Sequence, residues 1–209
     1  MKLGFVKLAI AATMLALAGT SQAAVITFTG GTVYGGGDYY EEDGFRVNAI
    51  GGTASFGNYY GTGNNVIHAH WAPPGGGLGT VTGIDITKVG GGTFDLNYFI
   101  LTSNTMTGGA PASGTEQTWI EGFVGGVSTG AALLLPPEDW GFPATQIFLG
   151  SNFDAVDSVR FFVTNSVDCF GMDEFYIDED APNAIPEPSS LALAGLAMVG
   201  LVGARRKKK

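Results

Sequence analysis

The chain has 209 residues, 34 of them glycine, is 45% hydrophobic and carries a formal net charge of −9. Seven of its ten cations sit in the first seven and last five positions, so between the two ends only Arg46, Lys88 and Arg160 face eighteen carboxylates, a net charge of −15. Such a body excludes nucleic acid as a partner, because phosphate binding needs clustered Lys and Arg, and it attracts divalent cations instead.

The first elements are an address. Met1, Lys2 and Lys7 give a positive start, Leu8 to Ala18 an apolar run, and Ser21-Gln22-Ala23 a small-x-small cleavage site. This is the pattern of a secretory signal peptide over residues 1–23, removed by signal peptidase. The mature chain then works outside the cytoplasm.

Residues 24–183 form one domain's worth of chain, long enough to bury a core without staples. Cys169 is the sole cysteine, so no intramolecular disulfide forms despite the oxidising compartment. It reads as a small apolar packing residue beside Phe170.

Runs rich in Val, Ile, Phe, Tyr and Thr predict strands over 25–29, 44–50, 65–71, 81–89, 93–102, 118–127, 146–150, 156–165 and 169–178. Glycine clusters such as Gly35-Gly36-Gly37, Gly75-Gly76-Gly77 and Gly90-Gly91-Gly92 punctuate them as turns. No stretch of the mature body repeats apolar residues at helical spacing over three turns. The expected fold is all-β: a two-sheet antiparallel β-sandwich of jelly-roll order, a Greek key being the alternative.

Alternation assigns faces. Ile67, Ala69 and Trp71 point one way, and His68 and His70 the other. Imidazoles so spaced can bind zinc or copper, but no third ligand is legible, and the pair reads as the exposed face of an outer strand. Val159, Phe161 and Val163 face inward, with Arg160 outward. In the final strand Asp173, Phe175 and Ile177 share one face, and Met172, Glu174 and Tyr176 the other. A carboxylate in an apolar row is costly unless paired or bound to a cation.

Enzymatic signatures are missing from the sequence. There is no Gly-x-Ser-x-Gly elbow, no His-Glu-x-x-His helix and no lysine-bearing phosphate loop. A glycan hydrolase needs two carboxylates at a defined separation, which sequence alone does not exclude. The expectation is that the protein is not an enzyme. Tyr59, Tyr60 and Trp140 lie in glycine- or proline-rich loops and are candidate platforms for stacking a sugar.

The chain ends on Pro186-Glu187-Pro188-Ser189-Ser190, an uncharged run from Leu191 to Ala204, and Arg205-Arg206-Lys207-Lys208-Lys209. Pro188 fixes φ and lacks a donor, so a helix starts after it. The run is short of the roughly 20 residues of a permanent span, and the cations hold its far end on the cytoplasmic side. These parts, in this order, resemble the PEP-CTERM sorting signal, here over 184–209. The resemblance implies a transient stay in the inner membrane and cleavage by an exosortase-type membrane protease. Pro186, Glu187 and Pro188 would then be recognised, and Arg205 and Arg206 would act as the stop. It also implies a final place at the cell surface or in the extracellular matrix, among exopolysaccharide.

A second resemblance rests on Tyr40-Glu41-Glu42-Asp43-Gly44-Phe45, Gly92-Thr93-Phe94-Asp95-Leu96, and Phe170-Gly171-Met172-Asp173-Glu174-Phe175-Tyr176-Ile177. These are similar to short motifs of galactose-binding-like and carbohydrate-binding jelly rolls, though Met172 and Glu174 depart from the usual last strand. The resemblance implies a structural calcium held by Glu42 or Glu41 together with Asp173. The expected function is a non-catalytic surface or matrix protein, with a lectin-like polysaccharide-binding module as the alternative.

Overall fold

A computed structural model describes residues 23–61, 63–73, 79–165 and 167–179. The signal peptide expected over 1–23 falls outside them except for Ala23, and the sorting segment 184–209 falls wholly outside. Among the described residues no helix is long and apolar enough to cross a membrane.

Two antiparallel sheets face each other. The first runs β12 (Thr145–Phe148), β8 (Leu96–Thr105), β14 (Cys169–Ile177), β6 (Val66–His70), β5 (Ser55–Gly57), with β1 (Ala24–Ile26) on the other half of β14. The second runs β10 (Val127–Ser128), β9 (Gln117–Val124), β13 (Ser158–Asn165), β7 (Gly83–Lys88), β4 (Phe45–Ile50), β3 (Tyr39–Glu42), β2 (Thr32–Tyr34), with β11 (Leu133–Leu134) also on β9. Count from β6 and treat β10 and β11 as one position. The first sheet then reads first, eighth, third, sixth in order of position (β6, β14, β8, β12). The second reads second, seventh, fourth, fifth (β7, β13, β9, β10/β11), which is the jelly-roll order.

The core is aromatic. Phe161 of β13 meets Phe99 of β8 edge-on at 5.2 Å, with Phe170 and Phe175 of β14 at 5.8 and 6.1 Å. Val159 and Ile67 are fully buried beside them, as the alternation predicts, and Arg160 points outward.

The structure corrects the faces of the last strand. Met172, Phe175 and Ile177 all enter the core, because the register against β8 shifts between Asp173 and Phe175. A β-bulge adds one residue and reverses the alternation beyond it. Asp173 is thereby freed from the apolar row and joins Cys169 and Gly171 on the outer face. A second shift, between Gly171 and Met172, sets Thr102 and Ser103 of β8 together opposite Gly171.

Five short strands, β2, β3, β5, β10 and β11, were not predicted. Gly35, Gly36 and Gly37, with φ of +59°, +69° and +118°, make the β2–β3 turn, where glycine avoids a steric cost that other residues carry.

Candidate functional site

The outer face of the first sheet carries the chemistry. Central strands β6 and β14 pair in register, His70 opposite Cys169 and His68 opposite Gly171. On the far side of β14, Thr105 faces Cys169 and Ser103 faces Gly171. His68 is not on the exposed face expected of an outer strand, whereas the His70 side chain remains 42% exposed. β6 lies inside the sheet, and the loop bearing Tyr59 and Tyr60 folds over it, leaving His68 1% exposed.

Tyr59 stacks on the His68 ring at 3.9 Å and 9°. The Tyr60 hydroxyl shares hydrogen bonds with His68 Nδ1 (3.1 Å), Thr102 Oγ1 (3.1 Å) and Ser103 Oγ (3.0 Å). Glycine at 171 makes this reach possible, since a Cβ there would lie 2.1 Å from the Tyr60 hydroxyl. Trp140 closes the lid, meeting Tyr60 edge-on at 4.8 Å and Tyr59 at 6.2 Å. The three aromatics singled out in the sequence therefore form one cluster. Tyr60 serves as its plug, while Tyr59 is 38% exposed.

Under this lid four donor groups crowd together. His70 Nδ1 lies 3.1 Å from Asp168 Oδ2 and 3.7 Å from Cys169 Sγ, and Asp168 Oδ2 is 3.7 Å from the same sulfur. One ligand-capable atom each of His68, His70 and Cys169 fall within 4.8 Å of one another. Among the described residues His68 Nε2 and Asp168 Oδ1 are buried without a hydrogen-bond partner. An open cleft of about 390 Å³, bordered by Tyr59, His70, Met106, Trp140, Asp168 and Cys169, leads to the group.

Burial favours the neutral forms of His68 and Cys169. Burial holds the His68 imidazole down at about 3, and neighbouring His70 acts in the same direction. Burial pushes the Cys169 thiol up to about 11, the Asp168 carboxylate adds to it, and a hydrogen bond from the Gly108 amide opposes it. A thiol so raised is a poor nucleophile. A relay would also need one ring nitrogen on the thiol and the other on the carboxylate, whereas here both crowd Nδ1. The arrangement is one of converging donors. Sequence reasoning missed Cys169 because it treated the strand as isolated; the legible signal was the outward His68-x-His70 pair.

The carboxylates proposed for calcium lie on different sheets. Glu41 and Glu42 lie on β3 in the second sheet, and Asp173 on β14 in the first. Glu41 pairs with Arg46. Glu42 accepts the amides of Thr27, Phe28 and Gly30 at 2.7, 2.8 and 2.9 Å and the hydroxyls of Thr27 and Tyr40, so N–H and O–H donors already occupy its oxygens. Asp173 Oδ1 accepts the Glu174 amide.

Compared with known proteins, residues 184–207 match the PEP-CTERM protein-sorting motif. The chain is thus an exported protein, anchored transiently in the membrane and processed by signal peptidase and an exosortase. Residues Pro186, Glu187, Pro188, Arg205 and Arg206 lie within the match but outside the described residues. No curated protein and no solved structure matches the chain.

Proposed function

We propose that the mature domain is a non-catalytic component of the cell surface or of the extracellular polymer matrix. The observation that carries this reading is the sorting motif downstream of a strongly anionic β-sandwich. In the producing bacterium, antibody against the body should find the processed protein in the surface and matrix fractions. Replacing Pro186, Glu187 and Pro188 by alanine should leave the uncut form in the inner membrane. Wild-type protein found dissolved and uncut in the cytosol would overturn the reading.

A second reading, polysaccharide binding, draws on Trp140. This residue borders both the cleft above Cys169 and a neighbouring cleft of about 540 Å³ with Glu138, Asp139, Pro111, Phe142 and Pro143 at its walls. An aromatic ring beside carboxylate acceptors suits a sugar, which offers an apolar ring face and hydroxyl donors. The resemblance to carbohydrate-binding jelly rolls belongs to this reading. Saturable retention on the organism's own purified exopolysaccharide, lost in Trp140→Ala, is the expected result. Equal retention by both forms would remove it.

A further inference from the structure

We propose that the outer face of the first sheet binds one thiophilic metal ion, of the zinc or copper(I) class, between His68, His70 and Cys169, with Asp168 as an oxygen donor.

The distances carry the argument. A zinc ion sits about 2.3 Å from a thiolate sulfur and about 2.0–2.1 Å from an imidazole nitrogen, so tetrahedral ligands stand roughly 3.5 Å apart. The triangle of His70 Nδ1, Asp168 Oδ2 and Cys169 Sγ has edges of 3.1, 3.7 and 3.7 Å. That is one face of such a tetrahedron. His68 joins them as a ligand, since one nitrogen each of His68 and His70 and the Cys169 sulfur lie within 4.8 Å of one another. Its Nδ1 is held by Tyr60, which leaves Nε2, buried and unpartnered, as the nitrogen free to ligate. With Nε2 on the ion, His68 Nδ1–H donates to the Tyr60 hydroxyl oxygen and fixes the ring's orientation, as the other N–H of metal-bound histidines commonly does.

The donor set selects the ion. Two imidazoles and a thiolate disfavour calcium and magnesium, which take oxygen shells. Thiolate with imidazole suits zinc and copper. Binding displaces the Cys169 thiol proton, so ion uptake releases acid. The cleft beside His70 gives the ion a route in.

The test uses the mature protein recovered from producing cells, reduced and stripped by chelator. It is titrated with Zn²⁺, with Co²⁺ as a spectroscopic stand-in for zinc, and with Cu⁺ against a chromophoric copper(I) chelator. The expected result is one equivalent bound, with a thiolate-to-cobalt charge-transfer band. Cys169 is the sole cysteine, so that band reports this site without any mutation. His70→Gln should weaken binding at least tenfold with the near-ultraviolet circular dichroism of the apo form unchanged, and Cys169→Ser should abolish the band. Tighter competition by Cu⁺ or by Zn²⁺ identifies the native ion. Folded wild-type protein that shows no charge-transfer band and no rise in melting temperature with Zn²⁺ or Cu⁺ overturns the proposal. So does undiminished binding in both variants, since the ion would then sit on other carboxylates.

Discussion

His70 and Cys169, 99 positions apart in the chain, are direct partners across β6 and β14, with Nδ1 3.7 Å from Sγ. Each is placed by the parity of its own strand, and both strands are pinned by what they bury on the opposite side: Ala69 and Trp71 on one, Phe170 and Met172 on the other. The outward chemistry is therefore only as well aligned as the inward packing.

The lid over His68 depends on an absent side chain. Gly171→Ala would drive a methyl to 2.1 Å from the Tyr60 hydroxyl and 2.7 Å from Thr102 Oγ1. The expected cost is about 1–3 kcal/mol, the range for overpacking. Tyr60→Phe should cost a comparable amount, about 1–3 kcal/mol, by leaving buried polar groups unpaired. Urea denaturation at constant slope measures both, and a neutral Gly171→Ala would show that the loop does not seat as described.

Asp173 gives a pH dependence of definite sign. Burial raises its carboxyl from 3.8 to about 6. Between those values the folded chain keeps a proton that the unfolded chain has released, so this group's contribution to stability falls as pH rises from about 4 to 6 and stays low above that. Asp173→Asn cannot ionise. It should match wild type near pH 4 and exceed it near pH 7 by about 2 kcal/mol, read from melts across that range. A variant that loses stability as pH rises would contradict the assignment.

Glu42 ties the segment after β1 to β3 by accepting three main-chain amides. Glu42→Ala should cost about 2–3 kcal/mol, because hydrogen bonds to a charged acceptor are among the stronger ones. Glu42→Gln, which keeps one acceptor oxygen, should lose less. Chemical denaturation compares them, and calcium added to wild type and to Glu42→Ala should leave the difference unchanged.

Added salt should stabilise this protein. Two of the three body cations form exposed cross-strand pairs, Arg46 with Glu41 and Arg160 with Asp85, each worth about 0–1 kcal/mol. The remaining carboxylates repel one another, and the screening length falls to about 8 Å by 0.15 M salt. The melting temperature should rise as sodium chloride goes from about 0.01 to 0.15 M. A fall would mean that the pairs outweigh the repulsion.

The sandwich, nine of its strands and the inward faces of β6 and β13 were legible, because burying one face forces alternation along each strand. The faces of β14 were not. A bulge is a property of two strands in register, and the run from Phe170 to Ile177 gives no local sign of the residue that slips past Ile100. The same limit hid the site. Tyr59, Tyr60 and Trp140 could be named from loop chemistry, and His68 and His70 from parity. Cys169 and Asp168 acquire meaning only once β14 lies beside β6. The β2–β3 hairpin was missed for a simpler reason: its glycines read as a turn, but the three- and four-residue runs beside them are too short to read as strands.

The strand around which the first sheet assembles, β14, is the last of the described strands along the chain. β14 joins β8 to β6 and also holds β1, yet only residues 178–183 separate it from the sorting motif. The earlier strands of this sheet lack their central partner until β14 has crossed, since pairings so distant along the chain close late. Exposed sheet edges in that interval invite mispairing. A brief tether at the carboxyl end would keep each unfinished molecule apart from its neighbours until the sheet has closed.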